Sequence, residues 1–262
     1  MILADAWHYI AAHPTQFATA LGVHVALSAC ALAIAALIAI PLGFVVARRA
    51  GLALAAINAA NVGRTLPSLA VLALAMPILG TGFVPSLAAL TLLALPPILT
   101  NTIAGIIGVE RDIIDAARGM GMSARDILRR IEIPLATPIV FAGLRTSAVQ
   151  VVSGAVLAAF IGGGGLGDFI TAGIAMMAVP QLLVGAIPVT LLSLGADYLF
   201  GTLERRLTPA GLRAASSRSA HSRSASPTPA RRPSMRCHSK SLPAKSACSS
   251  ARRDAARRQR CG

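Results

Sequence analysis

"DAARGMGMSARDILRRIEIPLATP", residues 115–138, holds seven of the 21 charged residues that precede position 214, in a chain built mainly from Ala, Leu, Ile, Val and Gly. Its local chemistry is helical. Ser123 suits an N-cap, and Asp126 three residues on gives an S-x-x-D variant of a capping box. Asp126 and Arg130 stand four apart with the acid first, the better orientation for a helical ion pair. Ile127, Leu128 and Ile131 gather on one side, as Ile113, Ile114 and Ala117 do upstream, where Asp115 comes within reach of Arg118. Gly119 and Gly121 separate two short helices, and Pro134 is expected to end the second. The spacing therefore predicts a capped helix–bend–helix. An inert hairpin lying on a membrane surface is the plain alternative.

The surroundings explain why such a segment stands out. The 262 residues are 55% hydrophobic and 13% charged, against roughly 25% charged in a soluble domain. Apolar runs recur at about 20 residues, enough to cross roughly 30 Å of hydrocarbon as helix. The fold class expected is an all-α integral membrane protein with about five transmembrane helices. The candidate spans are residues 21–47, 52–79, 83–108, 139–161 and 178–202, the second interrupted by Asn58, Asn61, Arg64 and Thr65.

Arginine placement orients the chain. Arg48 and Arg49 follow the first span, five Arg lie in 111–130 after the third, and Arg205, Arg206 and Arg213 follow the fifth. The connections "GTGFVP" and "GGGGLGDFITAG" hold no Lys or Arg. The N-terminus is expected outside, and the C-terminus and segment 115–138 in the cytoplasm. Residues 1–20 read as an external, interfacial lead with Trp7 and Tyr9. No cleavable signal peptide is expected, because the apolar run from Leu21 exceeds an h-region of about 7–15 residues. Prolines at 41, 67, 77, 85, 96, 97, 180 and 188 imply bent helices.

Residues 21–213 form the expected transmembrane domain, with a loop at 110–138; from Ala214 the composition changes abruptly. Residues 214–262 carry ten Arg, two Lys and a single acid, Asp254, so most of the net charge of +14 lies there. Such a segment cannot bury enough apolar surface to order itself. A lipid-attracted tail, a nucleic-acid-binding arm and an extension without function compete. The abrupt change favours the last, a sequence that a shifted reading frame would yield, and nucleic acid is not an expected partner.

Catalytic chemistry finds no foothold. "GGGGLG", residues 162–167, satisfies G-x-G-x-x-G, but it follows a membrane span rather than a strand, so it reads as a turn. Cys30, Cys237, Cys248 and Cys261 show no C-x-x-C spacing, and no metal site is expected. His24 reads as an interfacial hydrogen-bonding residue. Asp197, the acidic residue nearest a span interior, reads either as functional or as an ion pair with the neighbouring Glu204-Arg205-Arg206 segment.

At this point the loop resembles the signature of permease subunits of bacterial binding-protein-dependent ABC importers: E-A-A, three residues, Gly, nine residues, then I-x-L-P. The chain offers Asp115-Ala116-Ala117, then Gly121, then Ile131-Glu132-Ile133-Pro134, departing by Asp at 115 and Ile at 133. "HVALSACALAIAALIAIPLG", "GRTLPSLAVLAL", "LPPILTNTIAGI", "IGGGGLGDFI" and "DYLFGTLERRLTPAGL" are similar to the osmoprotectant branch, which imports glycine betaine, choline, carnitine or proline betaine. The tail has no counterpart there.

The resemblance implies a MetI-like, type I importer permease. It would pair with a second permease, identical or paralogous, dock a cytoplasmic ABC ATPase, and receive solute from an extracytoplasmic binding protein. ATP would be hydrolysed by the partner, since the chain has no Walker A sequence, and the chain itself would bind no cofactor. The docking residues implied are Asp115, Ala116, Ala117, Gly121, Ser123, Asp126, Ile127, Arg130, Ile131 and Pro134. Small residues would admit the partner, apolar positions would fill its groove, and charges would form a rim. Pathway candidates are Asn58, Asn61, Thr65, Ser68, Asn101, Thr102, Gln150 and Ser153, each of which could instead bridge helices. At 4% aromatic content, a tight cage for a quaternary ammonium ion is expected in the binding protein. An amino-acid importer of the methionine type, and an ATP-independent carrier or channel, are the alternatives.

Overall fold

The computed structural model of the chain describes residues 2–65 and 68–207. The tail at 214–262 lies outside the described residues, as does the side chain of Ser68. The elements are α1 (Ile2–Ala12), α2 (Pro14–Ala47), α3 (Ala50–Thr65), α4 (Ser68–Leu79), α5 (Phe83–Ile107), α6 (Arg111–Gly119), α7 (Ala124–Ile127), a π turn (Leu128–Glu132), α8 (Ile133–Gly154), a 3₁₀ segment (Ala155–Ile161), α9 (Gly167–Ala175) and α10 (Val179–Leu207). All described elements are helical, as composition predicts.

Four helices among the described residues are long and apolar enough to cross a membrane: Pro14–Ala47, Phe83–Ile107, Ala124–Ile161 and Val179–Leu207. Within the expected second span the described residues form α3 and α4, of 16 and 12 residues. The polar cluster at Asn58, Asn61, Arg64 and Thr65 occupies the second half of α3.

Helix α5 is the hub, with α2 on one flank and α8 on the other, while α10 packs on α8. The α2–α5 seam is written at a four-residue interval. Leu27, Ala31, Ala35, Ala39 and Gly43 are buried on α2, and Ser86, Leu90, Ala94, Ile98 and Thr102 are fully or nearly fully buried on α5. Small residues at this interval let ridges of the two helices interlock at close range. The approach is tight: a Cβ on Gly43 would stand 2.6 Å from Thr102 Cγ2, and one on Gly143 of α8 would stand 2.7 Å from Asn101 Cβ. Ser147 Oγ donates across the α5–α8 seam to the Ala94 carbonyl at 3.0 Å.

His24 departs from its expected interfacial place. It is 1% exposed, and its Nε2 hydrogen-bonds to the Val152 carbonyl at 3.0 Å, one turn before α8 tightens into the 3₁₀ segment. The "GGGG" turn closes over it, with Gly162, Gly164 and Gly165 at positive φ and Gly165 packed on the imidazole. Aromatic packing fixes α1: Tyr9 stands edge-on to Phe169, and Ala6, Leu166 and Val184 share that small core.

Candidate functional site

The segment between α5 and α8 folds as the spacing predicts and is closed by its own backbone. Helix α6 has Asp112 in its first turn and Arg118 in its last, each complementing the helix dipole. It ends in paired hydrogen bonds, Met122 N–H to the Ala117 carbonyl at 3.1 Å and Gly121 N–H to the Arg118 carbonyl at 2.9 Å. That is a Schellman closure, and Gly121, at φ +79°, is its left-handed residue. The interval between Ala117 and Gly121 is therefore the spacing of a helix stop.

Ser123 then caps α7. Its Oγ accepts from Asp126 N–H at 3.3 Å and donates to Asp126 Oδ2 at 2.6 Å, so the carboxylate answers the hydroxyl. Asp126 also lies 3.8 Å from Arg130, and Asp115 lies 3.3 Å from Arg118, both in the expected pairings.

Pro134 does not end the second helix. Helix α7 passes through the π turn, in which Ile133 N–H reaches back to the Leu128 carbonyl, and continues into α8 with Pro134 in the first turn. Proline lacks an N–H, and at a first turn that donor is dispensable. The wide turn just before it absorbs the break.

The unit divides into an inner and an outer face. Ala117 is 1% exposed and Ile127 4%, so both are covered by the chain itself, not held out to a partner. Asp115, Ala116, Gly121, Ser123, Arg130 and Pro134 are exposed, while Asp126 and Ile131 are half-buried. Met120, missed in the sequence, is 74% exposed beside Gly121; an apolar residue at a helix C-cap is the signal that could have found it. Glu132 reaches Arg48, just past α2, at 4.0 Å, placing the α2–α3 junction at the same end.

Among the described residues the pathway candidates do not gather into one cluster. Asn58, Asn61 and Thr65 are exposed on α3, and Thr65 Oγ1 donates to its own helix at Val62. Asn101 Nδ2 donates to the Pro97 carbonyl and its Cβ packs against Gly143. Thr102 is wholly enclosed and donates to the Ile98 carbonyl. Gln150 is half-buried and Ser153 exposed on α8, with Ser153 Oγ 3.2 Å from Ser193 Oγ on α10.

The same pair of helices holds a group the sequence did not pair. Asp197 binds Arg145, on α8, and not its own neighbours: Arg145 Nε and Nη2 donate to Asp197 Oδ1 and Oδ2 at 2.6 and 2.7 Å. A spacing of 52 residues carries no local signal.

Two of the concavities among the described residues border α2. A groove of about 860 Å³ runs between α2, α8 and α10, lined almost wholly by Leu, Ala and Val. At the opposite end from the loop, a cleft of about 420 Å³ joins Thr15, Gln16 and Thr19 to Asp168, where burial pushes the Asp168 carboxyl above its usual range.

Residues 16–209 match a protein family described as binding-protein-dependent transport system inner membrane component. The chain is 43% identical over 190 residues to the choline transport system permease protein OpuBB of Bacillus subtilis (strain 168), covering 72% of this chain and 88% of that protein. It is also 43% identical over 192 residues to the glycine betaine/carnitine/choline transport system permease protein OpuCB of the same organism, covering 73% and 88%. A solved structure of the MetNI methionine ABC transporter in an inward-facing conformation aligns with a TM-score of 0.64 over 75% of this chain and 99% of that one. Its identity of 19% speaks to the fold alone.

Proposed function

The chain belongs to the family of binding-protein-dependent transport system inner membrane components, and on that premise we propose that it carries choline, glycine betaine and related osmoprotectants through the membrane. It is a multi-pass permease subunit and not itself the ATPase; ATP is used by a partner subunit, and an external binding protein supplies solute. The relatives named for choline and glycine betaine support the solute class.

One observation carries the coupling. Segment 110–138 is closed at its bend by the α6 Schellman bonds and the Ser123 cap, yet leaves Ala116, Met120 and Gly121 exposed, with exposed charges at Asp115, Arg118 and Arg130 in the same segment. A small-residue and Met surface ringed by charge is the form of a protein-docking patch, an apolar centre within a polar rim. In this reading the ATPase sits on that patch, the loop end faces the cytoplasm, and α1 with the Gly162–Asp168 turn faces outward. Residues 21–213 are the permease domain, lipid surrounds it, and a second permease, identical or paralogous, completes the pathway.

The test is ATP-dependent uptake by vesicles holding this chain with its cognate ATPase and binding protein. Labelled choline, glycine betaine and carnitine should accumulate, and methionine should not. Accumulation of methionine alone would move the cargo to amino acids. Uptake by the chain without an ATPase would make it a carrier and end the coupling assignment.

A further inference from the structure

Movement applied at the docking patch has to reach helices that never touch it. Backbone continuity provides the first link, because α7, the π turn, α8 and the 3₁₀ segment form one helix from Ala124 to Ile161. A second link leaves α8 sideways. The Arg145 guanidinium forks onto both oxygens of Asp197 at 2.6 and 2.7 Å, and its Nη1 lies 3.9 Å from Glu204.

The seat for that fork is built into α10. Asp197, Gly201 and Glu204 fall on one helical face, and a Cβ on Gly201 would stand 3.3 Å from Arg145 Cζ and Nη1. The guanidinium therefore packs over bare backbone between two carboxylates. Arg145 and Asp197 stand on two helices long and apolar enough to cross a membrane, with 39% and 42% of their side chains exposed. A charged pair on such helices calls for a specific role. Adhesion alone does not require the charges, since α8 and α10 already pack against each other. Packed apolar helices can slide past each other by small shear steps. A forked pair of charged hydrogen bonds fixes both register and rotation.

We propose that Arg145 and Asp197, seated by Gly201 and backed by Glu204, form a transmission pin that makes α10 move with α8 when the ATPase pushes on the docking patch and so on α7, which follows it. They are positioning residues, and the proposal rests on the coupling reading above. Without the pin, α8 turns under the ATPase and α10 lags. ATP is then spent without opening the path.

The experiment uses the full complex in vesicles and measures glycine betaine or choline delivered per ATP hydrolysed. Asp197→Asn and Arg145→Gln should still assemble with the ATPase and hydrolyse ATP, with solute delivered per ATP falling at least about fivefold, the lower end of usual coupling energies. Asp197→Glu, which keeps the charge, should recover most of it. Undiminished delivery per ATP in both neutral variants overturns the proposal, and so does failure to assemble, which would make the pair purely structural. A second measurement leaves the pin intact. With the four cysteines replaced by Ser, spin labels at exposed Ile139 and Leu203 should hold a constant separation when ATP is added. A separation that changes overturns the pin. If the unaltered complex transports neither solute, the function reading fails, while the label separation still decides the pin.

Discussion

Gly121 separates two explanations of why a glycine follows the docking helix. If smallness matters, any added atom should obstruct the ATPase. If backbone conformation matters, only the left-handed φ should count. The structure sets the magnitudes. A Cβ at position 121 would meet nothing within 4 Å in this chain, whereas φ is +79°. Gly121→Ala therefore adds no internal clash, but holding an L-residue there costs roughly 1–2 kcal/mol. If the ATPase binds only the closed loop, its Kd should weaken about 5- to 30-fold. Asn visits the left-handed region more readily than Ala, so Gly121→Asn should weaken binding less than Ala, although its side chain is larger. Gly121→Arg adds bulk to strain and should abolish docking while membrane insertion persists. Titration of labelled ATPase against the permease in nanodiscs reads all three. Ala binding as tightly as Gly, or Asn faring worse than Ala, would refute the conformational account.

Other perturbations reach the rest of the molecule. Gly43→Ala forces a methyl onto Thr102 Cγ2 and should cost about 1–3 kcal/mol by overpacking, read as a lower Tm in detergent; adding Thr102→Ser, which deletes that atom, should restore part of it. Partial burial raises the folded pKa of Asp168 above its ordinary 3.8, so stability present below that value is lost as pH climbs through the raised one. Asp168→Asn should therefore match the parent Tm in acid, exceed it at neutral pH, and flatten the pH profile between. Removal of residues 214–262, beyond the family match that ends at 209, should leave ATP-driven uptake unchanged in the vesicle assay.

The sequence disclosed what is local and periodic. Apolar run length gave the helices, and Ser123, Asp126 and the two glycines gave a capped bend, because each of those interactions spans five residues or fewer. It did not disclose which side of a short helix faces inward. Ala117 and Ile127 looked like partner contacts and are covered by their own chain, whereas Met120 is bare. Nor could it join residues far apart, as with Arg145 and Asp197 or His24 and Val152. Pro134 misled for a different reason. A proline breaks a regular helix, and nothing in residue order announces that the preceding turn has been widened to admit it.

That widened turn has a geometric consequence. An α-helix advances about 100° of rotation per residue, and a π turn takes up an extra residue without breaking the rod. Leu128–Glu132 thus fixes the compass bearing of α7, to which the docking patch is joined, relative to Arg145 farther along the same rod. Shortening the chain there by one residue would leave both surfaces intact and aim them in different directions.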